Sequence, residues 1–128
     1  MCRGVAEQHP KLNFVVSEFN GGWIANWLDR MDQGLARENR FNRGPKMSAR
    51  PSEIWCRQFY ATIEDDKTAI LTRDMIGIDN LMWGANYPHT DSTWPCSRDV
   101  LDELMVGVPD EDALKITRGN VSRLYGLA

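Results

Sequence analysis

Three short stretches rich in apolar side chains are each followed by polar or acidic residues. They cover Leu12–Val16, Trp55–Glu64 and Leu81–Trp83. Their branched and aromatic side chains favour β-strands, and an unbroken apolar run is typical of a strand that is buried on both faces. The pattern therefore predicts three strands, each ending where polar side chains begin.

The segments between and after the strands carry apolar residues at helical spacing. They predict helices over about Trp23–Gln33, from a cap at Asp65 or Asp66 to Gly77, over about Ser97–Met105, and over about Asp110–Tyr125. We expect Trp23 and Trp27 to lie in the core, and Leu114, Val121 and Leu124 to be buried. The basic segment Leu35–Pro51 lacks apolar periodicity and predicts a loop or a broken helix.

The alternation of strands and helices predicts an α/β fold with a parallel sheet and helices covering it. Parallel folds collect ligands and chemistry at the carboxyl ends of their strands. Glu18 follows the first strand, and Asn86, His89 and Trp94 follow the third. These four residues are the candidate site.

Composition sets broad limits on function. The chain has 128 residues, is 42% hydrophobic and 26% charged, and carries a net charge of −3. These values are ordinary for one domain and provide no bulk attraction to nucleic acid or membranes, so neither is an expected partner. The sequence shows no signal peptide or membrane span, and Cys2, Cys56 and Cys96 show no disulfide or zinc spacing. We expect reduced thiols and a cytoplasmic location.

The stretch after the third strand also resembles a known family. Gly84–His89 and Asp91–Pro95 are similar to the last-strand motif of the amidohydrolase-related family, whose metal-dependent members are hydrolases and decarboxylases like aminocarboxymuconate-semialdehyde decarboxylase. The family ending N-x-x-R-L-Y-G-L is matched by Asn120–Leu127. One departure is that the aspartate of the family motif falls on Asn86.

The resemblance implies the last three βα units of a (β/α)8 TIM barrel, so residues 1–128 would form a partial domain. A whole barrel takes about 250 residues. The family carries an H-x-H metal pair on its first strand and another histidine on a middle strand. His9 and His89 are the only histidines in this sequence, and neither has that context.

The same resemblance assigns roles to the candidate site. Aligning the glycine-rich turn puts Glu18 on a metal-ligating histidine of the family, although Glu18 could equally cap or form an ion pair at the barrel rim. Asn86 and His89 take catalytic positions, with His89 as acid or base or, alternatively, as a loop residue bonded to Asp91 or Ser92. Trp94 is the predicted substrate-binding residue.

Two hypotheses follow about what the chain does. In the first, it is the carboxyl-terminal segment of a metal-dependent hydrolase or decarboxylase that acts on a small organic molecule. The divalent metal, zinc by preference, is then not expected to bind this chain alone, which is expected to be inactive until it self-associates or pairs with the missing half. In the second, it is a degenerate, non-catalytic module that binds a partner through open sheet edges.

Overall fold

The computed structural model describes residues 4–41, 43 and 47–127, and its sheet confirms the predicted parallel α/β arrangement. The strands are β1 (Phe14–Val16), β2 (Phe59–Ile63) and β3 (Leu81–Trp83), in the order β1-β2-β3. Both pairings are parallel, with Val16 opposite Ala61 and Ala61 opposite Leu81. The parallel register brings the carboxyl ends of all three strands to the same end of the sheet, called its carboxyl edge below.

Helices connect and cover the strands. Their bounds are α1 Val5–Gln8, α2 Ile24–Arg40, α3 Pro51–Gln58, α4 Lys67–Leu71, α5 Arg73–Ile76, α6 Ser97–Leu104, α7 Asp110–Leu114 and α8 Asn120–Tyr125. A 3₁₀ turn, Ile78–Asn80, precedes β3, and a π-helical turn, Lys115–Gly119, joins α7 to α8. None of the helices in the described ranges has both the length and the apolar character that crossing a bilayer requires.

Two helices contradict the sequence prediction. The first, α2, continues past its predicted end at about Gln33 to Arg40, into the segment predicted as a loop or a broken helix, since the positive charges of Arg37 and Arg40 are favourable at the negative end of the helix dipole. The second, α3, takes the first four residues of the predicted strand Trp55–Glu64. Its start is favoured by Pro51 in the first turn and by the Glu53 carboxylate, which accepts the N–H of Arg50 at 2.9 Å. Residues 42 and 44–46 of the predicted loop lie outside the described residues.

The core lies between the sheet and its helices. Its buried side chains come from α2, α3, β2, β3 and the later helices: Ile24, Ala25, Leu28, Trp55, Ala61, Ile63, Ala69, Ile70, Ile76, Leu81, Leu104 and Ile116. The expectation that Trp23 and Trp27 are core residues is wrong, since they are 43% and 36% exposed. They pack edge to face on each other, and Trp27 packs on the buried Trp55.

The final helix ends at Gly126 as predicted, with a left-handed φ of 65°, but its buried face differs. Leu114 was expected to be buried and is 60% exposed, whereas Ile116 and Asn120 are fully buried. The π-helical turn Lys115–Gly119 accounts for the difference. Its wider turn rotates the residues that follow it, so that a different side of the helix faces the sheet.

Two buried asparagines brace the strands from their amino-terminal side, a role that the sequence did not reveal. Asn80 Nδ2 donates to the carbonyls of Phe59 at 2.7 Å and Cys56 at 3.2 Å. Asn120 Nδ2 donates to the carbonyls of Ile78 and Leu81. Burial strengthens each bond and makes its loss costly.

Candidate functional site at the carboxyl ends of the strands

Side chains from the ends of β1 and β3 meet above the carboxyl edge of the sheet. His89 Nδ1 lies 2.7 Å from Asn86 Oδ1 and 3.4 Å from Glu18 Oε2. Glu18 and Asn86 both adopt positive φ, 65° and 55°, a conformation that few non-glycine residues adopt and that often marks functional sites. The structure thus brings together three of the four predicted site residues.

Asp91 extends this cluster through Asn86 rather than through the histidine ring. Asn86 Nδ2 donates to Asp91 Oδ1 at 3.0 Å. The His89 ring does not form the alternative hydrogen bond to Asp91 or Ser92. Its Nδ1 faces Asn86 and Glu18 instead. Ser92 forms its hydrogen bond to His89 through the backbone, where the Ser92 N–H donates to the His89 carbonyl at 3.1 Å.

Trp94, the fourth predicted residue, stands apart from the cluster. Its side chain is 62% exposed and lies edge on to Tyr87, with ring centroids 5.3 Å apart. The loop that carries the pair is held by Ser92, whose hydroxyl donates to the Ala85 carbonyl at 2.6 Å. The two rings form an exposed aromatic surface on the loop after β3.

Asp66 ties the end of β2 to the loop that carries Glu18. Its Oδ2 accepts the N–H groups of Gly21 at 2.7 Å and Gly22 at 2.8 Å, and its Oδ1 accepts the N–H of Ala69 at 2.9 Å. The predicted cap at Asp65 or Asp66 is therefore confirmed at Asp66. A Cβ at Gly22 would lie 2.7 Å from Thr68 Cβ, so only glycine allows this close approach.

Glu64 directly follows β2 and lies at the edge of the site, although it was not among the four predicted site residues. The residue is only 6% exposed, and its backbone N–H donates to Asn20 Oδ1 at 3.0 Å. Burial raises the pKa of its carboxyl, and the negative charges of Asp91 and Glu18 raise it further. Strand alternation was the missed signal, because Glu64 continues the face of Thr62, opposite to the core residue Ile63.

Glu64→Gln is expected to raise the free energy of unfolding at neutral pH. A carboxyl whose pKa is raised by folding contributes stability below its unfolded pKa and loses it as pH rises through the folded pKa. The variant has no carboxyl to ionise, so it keeps this stability at neutral pH. Its gain in free energy of unfolding over the parent should shrink towards about pH 4, where the carboxyl of the parent is largely protonated. Urea unfolding at both pH values measures the difference.

The matched control is Asp65→Asn, which makes the same charge change at the exposed neighbouring position. An equal gain in both variants would attribute the effect to net charge. A Glu64→Gln advantage that did not depend on pH would contradict the assignment to the buried carboxyl.

The residues of this cluster do not by themselves form a site for the divalent ion that the resemblance implies. Glu18 could supply carboxylate oxygens, but Asn86 Oδ1 and His89 Nδ1 are bonded to each other. Across the described residues, no three His, Cys, Asp or Glu side chains are grouped to hold an ion. Catalytic metal sites typically use about three protein ligands, so these residues do not complete one.

A separate cavity lies at the other end of β1. It has a volume of about 480 Å³ and is lined by Gln8–Leu12. The ring of His9 is exposed there and has no hydrogen bond within the described part of the chain, in keeping with a solvated residue. Because parallel folds bind ligands at the carboxyl ends of strands, this cavity is not the candidate site.

The sequence matches a known family over nearly its whole length. Residues 1–127 match the sequence model of the family described as Amidohydrolase. No curated protein matches the sequence.

Solved structures show the same fold. The chain is similar to 5-carboxyvanillate decarboxylase from Sphingomonas paucimobilis, with 23% identity and a TM-score of 0.81 over 99% of this chain and 37% of that one. It is also similar to dihydroxybenzoic acid decarboxylase from Polaromonas sp. JS666, solved with manganese and 2-nitroresorcinol: 20% identity, TM-score 0.76, covering 97% and 36%. An amidohydrolase from Mycobacterium avium subsp. paratuberculosis K-10 gives 23% identity and a TM-score of 0.76, covering 96% and 30%.

The chain therefore spans about 37% of the length of the first of these structures. With the parallel order β1-β2-β3, this match confirms the predicted fold, the carboxyl-terminal βα units of a TIM barrel.

Proposed function

The chain belongs to the amidohydrolase family, and on that premise we propose that it is the carboxyl-terminal segment of a metal-dependent hydrolase or decarboxylase that acts on a small organic substrate. Residues 1–128 form one partial domain in this proposal. The remaining metal ligands belong to barrel strands that the chain does not contain, and zinc or manganese is the ion expected there. The odd number and wide spacing of the three cysteines favour a reducing, cytoplasmic setting.

One observation carries the proposal: Glu18, Asn86 and His89 converge from two strand ends at contact distances of 2.7 Å and 3.4 Å. Strand ends facing a barrel axis are where enzymes of this architecture place their chemistry. A surface ion pair alone needs neither two positive-φ residues nor side chains from non-adjacent strands.

Each residue has a definite part in the proposed site. His89 transfers a proton to or from the substrate, since histidine is the side chain that most often serves as a general acid or base. Asn86 holds the imidazole through its amide oxygen, which cannot itself take up a proton at neutral pH. Trp94, packed edge on to Tyr87, offers an exposed aromatic surface to the organic part of the substrate. Glu18 contributes one carboxylate to the cation site of the complete barrel.

The isolated chain is proposed to be inactive, because the described residues do not complete a metal site and the sheet has two open edges. Among residues 4–41, 43 and 47–127, strand β1 and strand β3 each pair on one side only. Unpaired strand edges readily accept further strands, so the chain would pair with the missing part of a barrel or with itself.

A second candidate function is a non-catalytic module that binds a partner protein through these edges. The observation that favours it is Asn86, where the family motif has an aspartate. An amide is a weaker ligand and cannot act as a base, so this change is the kind expected in a barrel segment that has lost its chemistry.

A chimera separates the two functions. In it, this chain replaces the matching carboxyl-terminal part of the Sphingomonas paucimobilis decarboxylase, and carbon dioxide release from small aromatic acids is measured with added manganese or zinc. We expect activity with Asn86 in place, and His89→Ala should lower the rate by about 100-fold because proton transfer is lost.

The control is His9→Ala, which removes the other histidine, at the opposite end of β1. A folded chimera in which both histidine variants leave the rate unchanged would contradict the catalytic proposal. Activity that appears only after Asn86→Asp would instead support the degenerate module.

A further inference from the structure

Asp91, Asn86 and His89 form a linear chain of side-chain hydrogen bonds. Asn86 Nδ2 lies 3.0 Å from Asp91 Oδ1, and Asn86 Oδ1 lies 2.7 Å from His89 Nδ1. The loop geometry is reinforced by the backbone, since the N–H of His89 donates to the carbonyl of Asn86 at 2.9 Å. These hydrogen bonds fix the relative positions of the three side chains within one short loop.

The direction of these bonds follows from the chemistry of Asp91. An ionised carboxylate only accepts hydrogen bonds, so the Asn86 atom facing it must be the amide nitrogen. The amide oxygen of Asn86 must then face His89. Because that oxygen only accepts, the ring nitrogen opposite it must carry a hydrogen.

A second acceptor beside the same ring nitrogen also indicates that this nitrogen carries the hydrogen. Glu18 Oε2 lies 3.4 Å from His89 Nδ1, so both neighbours of this nitrogen are acceptors. In a neutral imidazole the hydrogen then sits on Nδ1, and Nε2 keeps its lone pair. Within the described part of the chain, no group forms a hydrogen bond with Nε2.

We propose that Asn86 and Asp91 are positioning residues that hold His89 in the Nδ1–H tautomer, so that Nε2 is the nitrogen presented to a substrate. Asparagine suits position 86 because its amide donates to one neighbour and accepts from the other. An aspartate there would place a like charge 3.0 Å from Asp91 and could not donate to it. The use of Nε2 as a proton acceptor rests on the proposed function, whereas the tautomer itself does not.

The tautomer is read directly by two-bond ¹H–¹⁵N correlation spectra of the chain with ¹⁵N-labelled histidine. Spectra are taken at alkaline pH, where imidazoles are neutral. We expect His89 to show a protonated Nδ1 and an unprotonated Nε2. His9, whose ring has no hydrogen bond in the described residues, provides the reference for an unconstrained ring and is assigned with His9→Gln.

Two variants test the positioning roles. Asn86→Gly removes the acceptor while tolerating the positive φ of this position, and Asp91→Ala frees the Asn86 amide to turn. Both should move the His89 signals towards those of His9, and Asp65→Ala, an exposed control of the same charge change, should not. If Asn86→Gly fails to fold, Asp91→Ala at its exposed loop position still decides the matter.

Two results would overturn the proposal. The first is an unprotonated Nδ1 on His89 in the unmodified chain. The second is a protonated Nδ1 that neither variant changes, which would assign the tautomer to Glu18 or to the loop. A correct tautomer in a chimera without activity would instead count against the proposed function alone, so the two failures are distinguishable.

Discussion

Asp66→Ala is expected to lower the free energy of unfolding by about 3 kcal/mol, because one carboxylate accepts three backbone N–H groups. Loss of a helix cap alone costs about 1 kcal/mol, and hydrogen bonds to a charged acceptor contribute about 1.5–3 kcal/mol each. The side chain is half-buried, so the sum is discounted for solvent. A loss of this size is a large part of the stability of a typical domain, about 5–15 kcal/mol.

The variant should also loosen the candidate site. Gly21 and Gly22 follow the Glu18 turn directly, and Asp66 is what fixes their N–H groups against β2. We therefore expect faster amide hydrogen exchange at these two glycines and a weaker contact between Glu18 and His89. Urea unfolding measures the stability, and exchange followed by mass spectrometry measures the loop.

Asp65→Ala is the matched control, since it removes the neighbouring carboxylate, which is exposed and forms no hydrogen bond within the described residues. Its free energy of unfolding should change by less than about 0.5 kcal/mol. Equal losses in the two variants would show that charge, rather than the three bonds of Asp66, determines the stability.

Asn120→Leu is expected to cost about 2–3 kcal/mol although it replaces a polar side chain by an apolar one of similar size. The fully buried amide of Asn120 donates to the carbonyls of Ile78 at 2.8 Å and Leu81 at 2.7 Å. Leucine offers these acceptors nothing, and the added apolar burial offsets only part of the loss. Since both carbonyls flank the start of β3, the variant should weaken the attachment of α8 to the sheet.

Asn26→Leu makes the same substitution at an exposed position of α2 and serves as the control. Its free energy of unfolding should stay within about 0.5 kcal/mol of the parent. Guanidinium unfolding followed by tryptophan fluorescence compares the two variants. If Asn120→Leu were as stable as the parent, the two buried bonds would contribute no net stability.

The parts of the fold that could be predicted are those that a few adjacent residues decide. The strand Leu81–Trp83 was predicted with its observed bounds, because its flanking residues cannot continue it. The cap at Asp66, the helix end at Gly77 with its positive φ, and the left-handed end at Gly126 also follow from local backbone rules.

The helix bounds and the buried faces could not be predicted so well. Nothing in the composition of Trp55–Gln58 excludes a strand; the helix that starts at Pro51 extends through these residues because Trp55 then packs into the core. Leu114 has the right spacing to be buried, but the π-helical turn after it shifts the face. Such outcomes depend on neighbours that are distant in sequence, and local propensity does not report on them.

The candidate site divides in the same way. The order of residues along the chain was enough to predict that Glu18 and Asn86 follow strands of one parallel sheet and lie at its carboxyl end, because alternating strands and helices with right-handed connections allow few other arrangements. The folded arrangement was needed to see that His89 contacts both of them, that Asp91 is hydrogen-bonded to Asn86, and that Glu64 is buried at the end of β2. Side-chain contacts at this scale depend on loop conformation, and a displacement of about 1 Å is enough to break a hydrogen bond.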